Sequence, residues 1–162
     1  MIRWLGFLLT ISACAATGWR ARQALRNRVR CLDEARRIAE QLRLHVCVRR
    51  IPLPQLLHQL EMSFPGRFAR AEEMFLSLKD VAFCDYWRAC LAAGGFTQEA
   101  AKPLVEAVEA ISCGQIPERA MEICDIALSR LQENAREQER ERGKLYLAFG
   151  TAGGCFLALI LL

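Results

Sequence analysis

From Leu145 to Leu162 the chain carries no charged side chain, and this run follows a segment with almost no apolar one. A helix over Leu145 to Leu162 would reach about 27 Å, close to the ~30 Å hydrocarbon core of a bilayer. The alternative is a buried C-terminal helix, but core helices seldom run uncharged to the end behind a basic flank. The charged segment, Glu133 to Lys144, is ordered by charge. Glu133, Glu137 and Glu141 form one row at four-residue spacing, and Arg136, Arg140 and Lys144 form a second row three residues on. Each acid therefore has a base within one helical turn, worth a few tenths of a kcal/mol per pair. Further back, Cys124, Leu128, Leu131 and Ala135 share a helix face, and Pro117 suits a first helical turn. These features predict one long helix from Pro117, soluble at its start and membrane-embedded at its end.

A second uncharged run, Trp4 to Trp19, follows Met1-Ile2-Arg3. It would span about 24 Å, with Trp4 and Trp19 placed as interfacial anchors. Ile11-Ser12-Ala13-Cys14 also resembles a lipoprotein processing site, so an exported lipoprotein cleaved before Cys14 is an alternative. The residues that follow favour an uncleaved span: Arg20, Arg22, Arg26, Arg28 and Arg30 outweigh the single Arg3 in front. Clustered bases beside a span remain cytoplasmic. Arg140, Arg142 and Lys144 place the flank of the C-terminal run on the same side. The expected organisation is a transmembrane helix at 1–19, a cytoplasmic domain at 20–144 and a second transmembrane helix at 145–162. Gly150 and Gly154, with Gly153 between them, form a GxxxG step. Ser12 and Ala16 form a small-xxx-small step, and both suit close helix packing within a membrane.

The cytoplasmic part reads as an all-α bundle. Leu25, Leu32, Ala35, Ala39, Leu42 and Val46 lie near a heptad seam within a helix from Arg20 to Arg50. Ile51-Pro52-Leu53-Pro54 stops that helix and leads into another over Gln55 to Met62, which Phe64-Pro65-Gly66 breaks. A third helix is expected from Arg67 to about Lys79, with Phe68, Ala71, Phe75 and Leu78 on one face. A fourth carries Phe83, Trp87 and Leu91 and stops at Ala93-Gly94-Gly95. Thr97 caps a fifth, which runs to about Ser112 with Leu104, Val108 and Ile111 as its stripe. No segment alternates as a strand would.

Charge is uneven. Arg20 to Arg50 holds ten arginines against three acids, whereas Ile51 to Ala135 holds seven bases against twelve acids. The arginine-rich helix suits a topology signal with a solvated face, or contact with lipid phosphate near a membrane. Nucleic-acid binding fits less well, because no stacking aromatics interleave with these arginines. The eight cysteines form no CxxC, and neither His45 nor His58 has a paired spacing with any of them. Cys31, Cys47, Cys113 and Cys124 occupy apolar positions of helical patterns, which fits reduced, structural thiols. No phosphate loop, metal spacing, cofactor motif or nucleophile with a nearby base is present, so the expected role is binding rather than catalysis. His58, beside apolar Leu57 and Leu60, reads as a packed or surface histidine, and the acids Glu72, Glu73, Glu106 and Glu109 read as solvated faces.

Nearly the whole chain resembles the stage III sporulation protein AB family of endospore-forming bacteria. The resemblance lies in Trp4-Leu5-Gly6 of the first run, Ile51-Pro52-Leu53, Asp85-Tyr86-Trp87 and the charged exit helix. It also lies in Lys144-Leu145-Tyr146-Leu147-Ala148-Phe149-Gly150, which leads into the Gly- and Leu-rich end. The family usually has a Leu-Gly turn followed by an Asp and a Gln where this chain has Ile111-Ser112, Gln115 and Arg119. A partner contact made through that turn would be altered here. The resemblance implies a non-enzymatic membrane part of the channel complex between mother cell and forespore. It implies partners among the channel subunits, above all a secretion-type ATPase on the mother-cell cytoplasmic side, and no small-molecule substrate. Family members are similar to the inner-membrane platform proteins of type II secretion and type IV pilus machines, so a general platform subunit unconnected with spores is the alternative.

Overall fold

The computed structural model describes residues 2–78 and 81–160; the side chains at 2–11, 54, 147, 149–151 and 154–160 lie outside that description. Six α-helices follow one another: α1 (Ile2–Arg43), α2 (Leu53–Ser63), α3 (Ala71–Ser77), α4 (Phe83–Ala93), α5 (Gln98–Ser112) and α6 (Pro117–Ile160). A π-helical turn over Leu44–Val48 closes α1. No strand occurs among the described residues, and the fold is all-α as the sequence predicts. The chain divides into two compact units. One joins α1 up to Arg30 with α6 from Glu133 onward, and the other is Cys31–Gln132.

The Cys31–Gln132 unit is built around aromatic rings. Trp87 on α4 is fully buried. It stacks on Phe68 with ring centroids 5.7 Å apart and on Phe83 at 6.4 Å. Its indole Nε1 donates to the Leu104 carbonyl of α5 at 3.3 Å, so the one polar atom of the ring is satisfied. Phe75 of α3 meets Phe83 and Tyr86 edge-on or tilted at 5.4 and 5.2 Å. The Tyr86 hydroxyl donates to the Ala71 carbonyl at 2.7 Å. Also buried in this unit are Leu56, Leu57 and Leu60 of α2, Leu91 of α4, and Leu104 and Val108 of α5. From the two long helices come Leu32, Ile38 and Leu42 of α1 and Met121, Cys124 and Leu128 of α6.

Helix ends follow local chemistry. The Thr97 hydroxyl accepts from the Ala100 N–H, capping α5. Helix α4 ends in a Schellman turn: Gly95 N–H donates to Ala92 O and Phe96 N–H to Leu91 O, with Gly95 at φ +76°. Helix α5 ends the same way through Gly114 at φ +87° and Gln115 N–H to Ala110 O. Both turns require the left-handed conformation that glycine adopts without a steric cost.

The third helix departs from expectation. It begins at Ala71, not Arg67, and ends at Ser77. Arg70 takes φ +59°, which ends the preceding turns before a helix can start, and its N–H is held by Glu61 Oε1 of α2 at 2.6 Å. A charge-assisted hydrogen bond of this kind offsets the roughly 1 kcal/mol that a left-handed non-glycine residue costs. Of the predicted face, Phe68 and Ala71 are buried and Phe75 is half-buried, but Leu78 is exposed; Lys79 lies outside the described residues. On the α1 seam Leu25 is only half-buried, while Ile38, off that seam, is fully buried. Cys113 is exposed at the C-terminus of α5, because Gly114 turns the chain there; the expectation of an apolar position fails for it. Cys31 and Cys124 are buried as expected, and Cys47 is partly exposed.

Among the described residues no helix is long and apolar enough to cross a membrane. Most side chains of the two runs expected to span, 1–19 and 145–162, fall outside those residues.

Truncating Trp87 tests the aromatic centre. Trp87→Ala in the full chain is expected to cost about 3–5 kcal/mol in chemical unfolding followed by circular dichroism. Thr97→Ala, which removes only a cap, should cost about 1 kcal/mol.

Candidate interaction surface

The basic residues expected to set topology are not all idle on the surface. In the unit that joins α1 up to Arg30 with α6 from Glu133, Arg26 Nε lies 3.4 Å from Glu139 Oε1. Arg28 Nη1 donates to Gln138 Oε1 at 2.7 Å. Arg22 is half-buried, and its Cγ faces Gly143, where an added Cβ would sit 3.9 Å away. The two helix segments therefore run antiparallel, with low numbers of α1 against high numbers of α6. Arg20, Arg30, Arg140, Arg142 and Lys144 are exposed. Ser12 and Ala16 are exposed and Gly153 is half-buried; the surroundings of Gly150 and Gly154 lie outside the described residues.

The Cys31–Gln132 unit is locked by polar groups that sequence spacing does not reveal. Gln132 is buried on α6; its side-chain amide donates to Asp33 Oδ1 and accepts from Arg36 Nη1 at 3.1 Å. Arg36 also lies 3.8 Å from Asp125 and 3.6 Å from Glu40. Arg67 is a second hub. It reaches Glu34 Oε2 of α1 at 2.6 Å, donates to the Gly94 carbonyl, and sits 5.2 Å from the centre of the Phe96 ring. One guanidinium thus ties the turn before α3 to α1 and to the end of α4. Arg88 pairs with Asp85 and with Glu109 of α5. His58 Nδ1 meets Glu72 Oε2 at 2.8 Å, joining α2 to α3.

Several titratable groups have shifted affinities for protons. Burial pushes the Cys124 thiol up to about 12, with Asp125 and Glu106 adding to it. Burial also raises Cys47, aided by the nearby Glu118 carboxylate, and it raises Cys90 despite a hydrogen bond with Tyr86. The Tyr86 hydroxyl is raised by burial and by Cys90. A thiol kept protonated is a poor nucleophile and a poor metal ligand. Among the described residues no three His, Cys, Asp or Glu side chains converge as metal ligands.

What the unit offers outward is apolar surface. Met74, Leu76, Leu78 and Val81 are exposed on α3 and the chain after it, and Met62 is exposed near the end of α2. On α6 Ile123 and Ile126 are exposed, and Ile116 is exposed at its N-terminal boundary. The sequence carried a signal for the second group, since these isoleucines lie opposite the Cys124–Leu128 face. It carried little for the first, because the expected third helix placed Leu78 in the core.

The sequence profile of the stage III sporulation protein AB family matches residues 3–162. No curated protein and no solved structure matches the chain.

His45, in the π-helical turn, is 4% exposed, and its Nδ1 has no hydrogen-bond partner among the described residues. Burial, with Arg49 beside it, holds its affinity for protons below the ordinary histidine value. The folded chain therefore binds fewer protons at this site than the unfolded chain does. The resulting stability is fully present above the unfolded value of about 6.5, and it falls as pH drops below that value toward the lowered folded one. Thermal melts of the full chain should lose stability on moving from about pH 7.5 to 5.5. His45→Leu should lose measurably less over the same interval; an equal loss would show that other groups cause it.

Proposed function

Because the chain belongs to the stage III sporulation protein AB family, we propose that this sporulation protein is a non-enzymatic membrane component of the channel complex between mother cell and forespore. Its helices at 1–19 and 145–162 span the outer forespore membrane, and residues 20–144 stand in the mother-cell cytoplasm. There the helical domain receives a secretion-type ATPase, and the spans position it against the other channel subunits. The observation that carries this reading is the family match over residues 3–162.

Physical support comes from the flanks. Arg20 to Arg30 and Arg140 to Lys144 put excess base beside both uncharged runs, and bases so placed resist translocation. Arg26 and Arg28 are also engaged by Glu139 and Gln138. The two basic flanks are thereby tied to each other at the same level, as a helical pair with both ends entering one membrane requires. Function by binding agrees with thiols held protonated and with acids of the Cys31–Gln132 unit engaged by arginines. The Gly150/Gly153/Gly154 and Ser12/Ala16 steps would let the spans approach each other closely.

Deleting the gene in the native host and inducing sporulation tests the reading. Heat-resistant spores should be lost, with arrest after engulfment and small or collapsing forespores. The protein should resist alkaline carbonate extraction from membranes, and an externally added protease should leave residues 20–144 intact in sealed cells. Normal spore counts together with a secretion defect would assign the chain to a general secretion or pilus platform instead.

A further inference from the structure

Along the outer face of α6, Arg119, Ile123, Ile126 and Arg130 succeed one another at steps of four, three and four residues, with Ile116 one step earlier at the helix boundary. That is the spacing of a heptad seam, yet it lies away from the buried face of Met121, Cys124 and Leu128. Ile116, Ile123 and Ile126 are 66%, 57% and 48% exposed. Arg119 and Arg130 are exposed too, and neither has a hydrogen bond or ion pair among the described residues. β-Branched side chains in a row on water have no role in the fold, and two unengaged guanidiniums bracket them. We propose that this stripe is a docking seam for an amphipathic helix of a partner protein, apolar along its centre and carrying two carboxylates that meet Arg119 and Arg130.

Charge and chain direction together select that occupant. The two arginines are eleven residues apart, so the matching carboxylates lie roughly 16 Å apart along the partner helix. A second copy in parallel register would set Arg119 against Arg119 and Arg130 against Arg130, which is repulsive. An antiparallel copy centred on Ile126 would match Arg130 with Glu122 and Arg119 with Glu133, so charge alone does not exclude it, but it would send the two C-terminal segments in opposite directions. A common membrane forbids that, and this one step rests on the membrane reading above. Glu122, exposed at the edge of the stripe beside Ile126, leaves room for a base on the partner. The isoleucines supply affinity through burial and the arginines supply register and choice of partner.

The test uses the full chain in nanodiscs and a labelled synthetic helix of about three heptads. The peptide has leucine at the seam positions and glutamate at two positions eleven residues apart; matched peptides carry glutamine or lysine there. By fluorescence anisotropy the glutamate peptide should bind saturably and the glutamine peptide about tenfold or more weakly, a difference of about 1.4 kcal/mol. Arg119→Glu with Arg130→Glu should reverse the preference toward the lysine peptide. Ile123→Ser with Ile126→Ser should abolish binding while the melting curve stays in place, since all four side chains are exposed. Equal binding of glutamate and glutamine peptides, no saturable binding, or binding indifferent to the substitutions would overturn the proposal. So would a concentration-dependent dimer removed by Ile126→Ser, which would assign the stripe to a second copy. Loss of peptide binding only in discs rich in anionic lipid would assign it to the bilayer surface and equally overturn it. Co-purification of the ATPase is scored separately. An ATPase that binds wild type and the arginine variant alike leaves the ATPase reading standing and removes its use of this seam.

Discussion

Trp87 anchors the Cys31–Gln132 unit, because its ring joins α4 to the turn before α3 and to α5. Phe68 lies on one side in the turn before α3 and Phe83 on the same helix, and the indole nitrogen reaches back to the Leu104 carbonyl of α5. Helix α3 has only seven residues. A helix so short has little intrinsic stability, and it persists through tertiary contacts. Phe75 packing on Phe83 and Tyr86, and the Tyr86 hydroxyl bonded to Ala71, supply those contacts. Helix α3 is thus a consequence of the aromatic cluster more than of its own propensity.

The long helices follow a different rule. Each would form on its own pattern, and what they need is register. In the Cys31–Gln132 unit that register is fixed by one buried amide, Gln132, bonded to Asp33 and Arg36. An apolar residue in its place would tolerate sliding. A buried group with directional partners does not, because each displaced register strands a polar atom at a cost of about 1–3 kcal/mol. Arg67 does the same for the turn between α2 and α3, reaching Glu34, the Gly94 carbonyl and the Phe96 ring at once.

The parts legible in sequence were those governed by neighbours in the chain. Thr97 before an apolar-periodic run, Gly94-Gly95 and Gly114 after such runs, and Pro117 at a helix start all act through bonds a few residues long. The seam residues Leu32, Ala35, Ala39 and Leu42 were legible because 3.6-residue periodicity reports one face. Ile38 was missed because α1 is covered on a wider arc than a single seam, as packing against more than one neighbour demands. The start of α3 was missed because a hydrogen bond from Arg70 to Glu61, nine residues back, decides it. Arg26 and Arg28 looked like members of a basic cluster; their partners Glu139 and Gln138 lie more than a hundred residues away, where no local spacing can point to them.

The same division separates what the domain keeps for itself from what it offers. Glu34, Asp33 and Glu109 are used up by arginine or amide partners within the unit. Burial raises the Cys124 and Cys90 thiols and, with Arg49, lowers the affinity of His45 for protons. Groups so committed hold shape. The exposed Ile123 and Ile126 are the converse. Their burial would not improve the fold, because the opposite face of α6 already fills the core with Met121, Cys124 and Leu128. A helix apolar on its inner face and again on its outer one is shaped by two requirements, and only the first of them is folding.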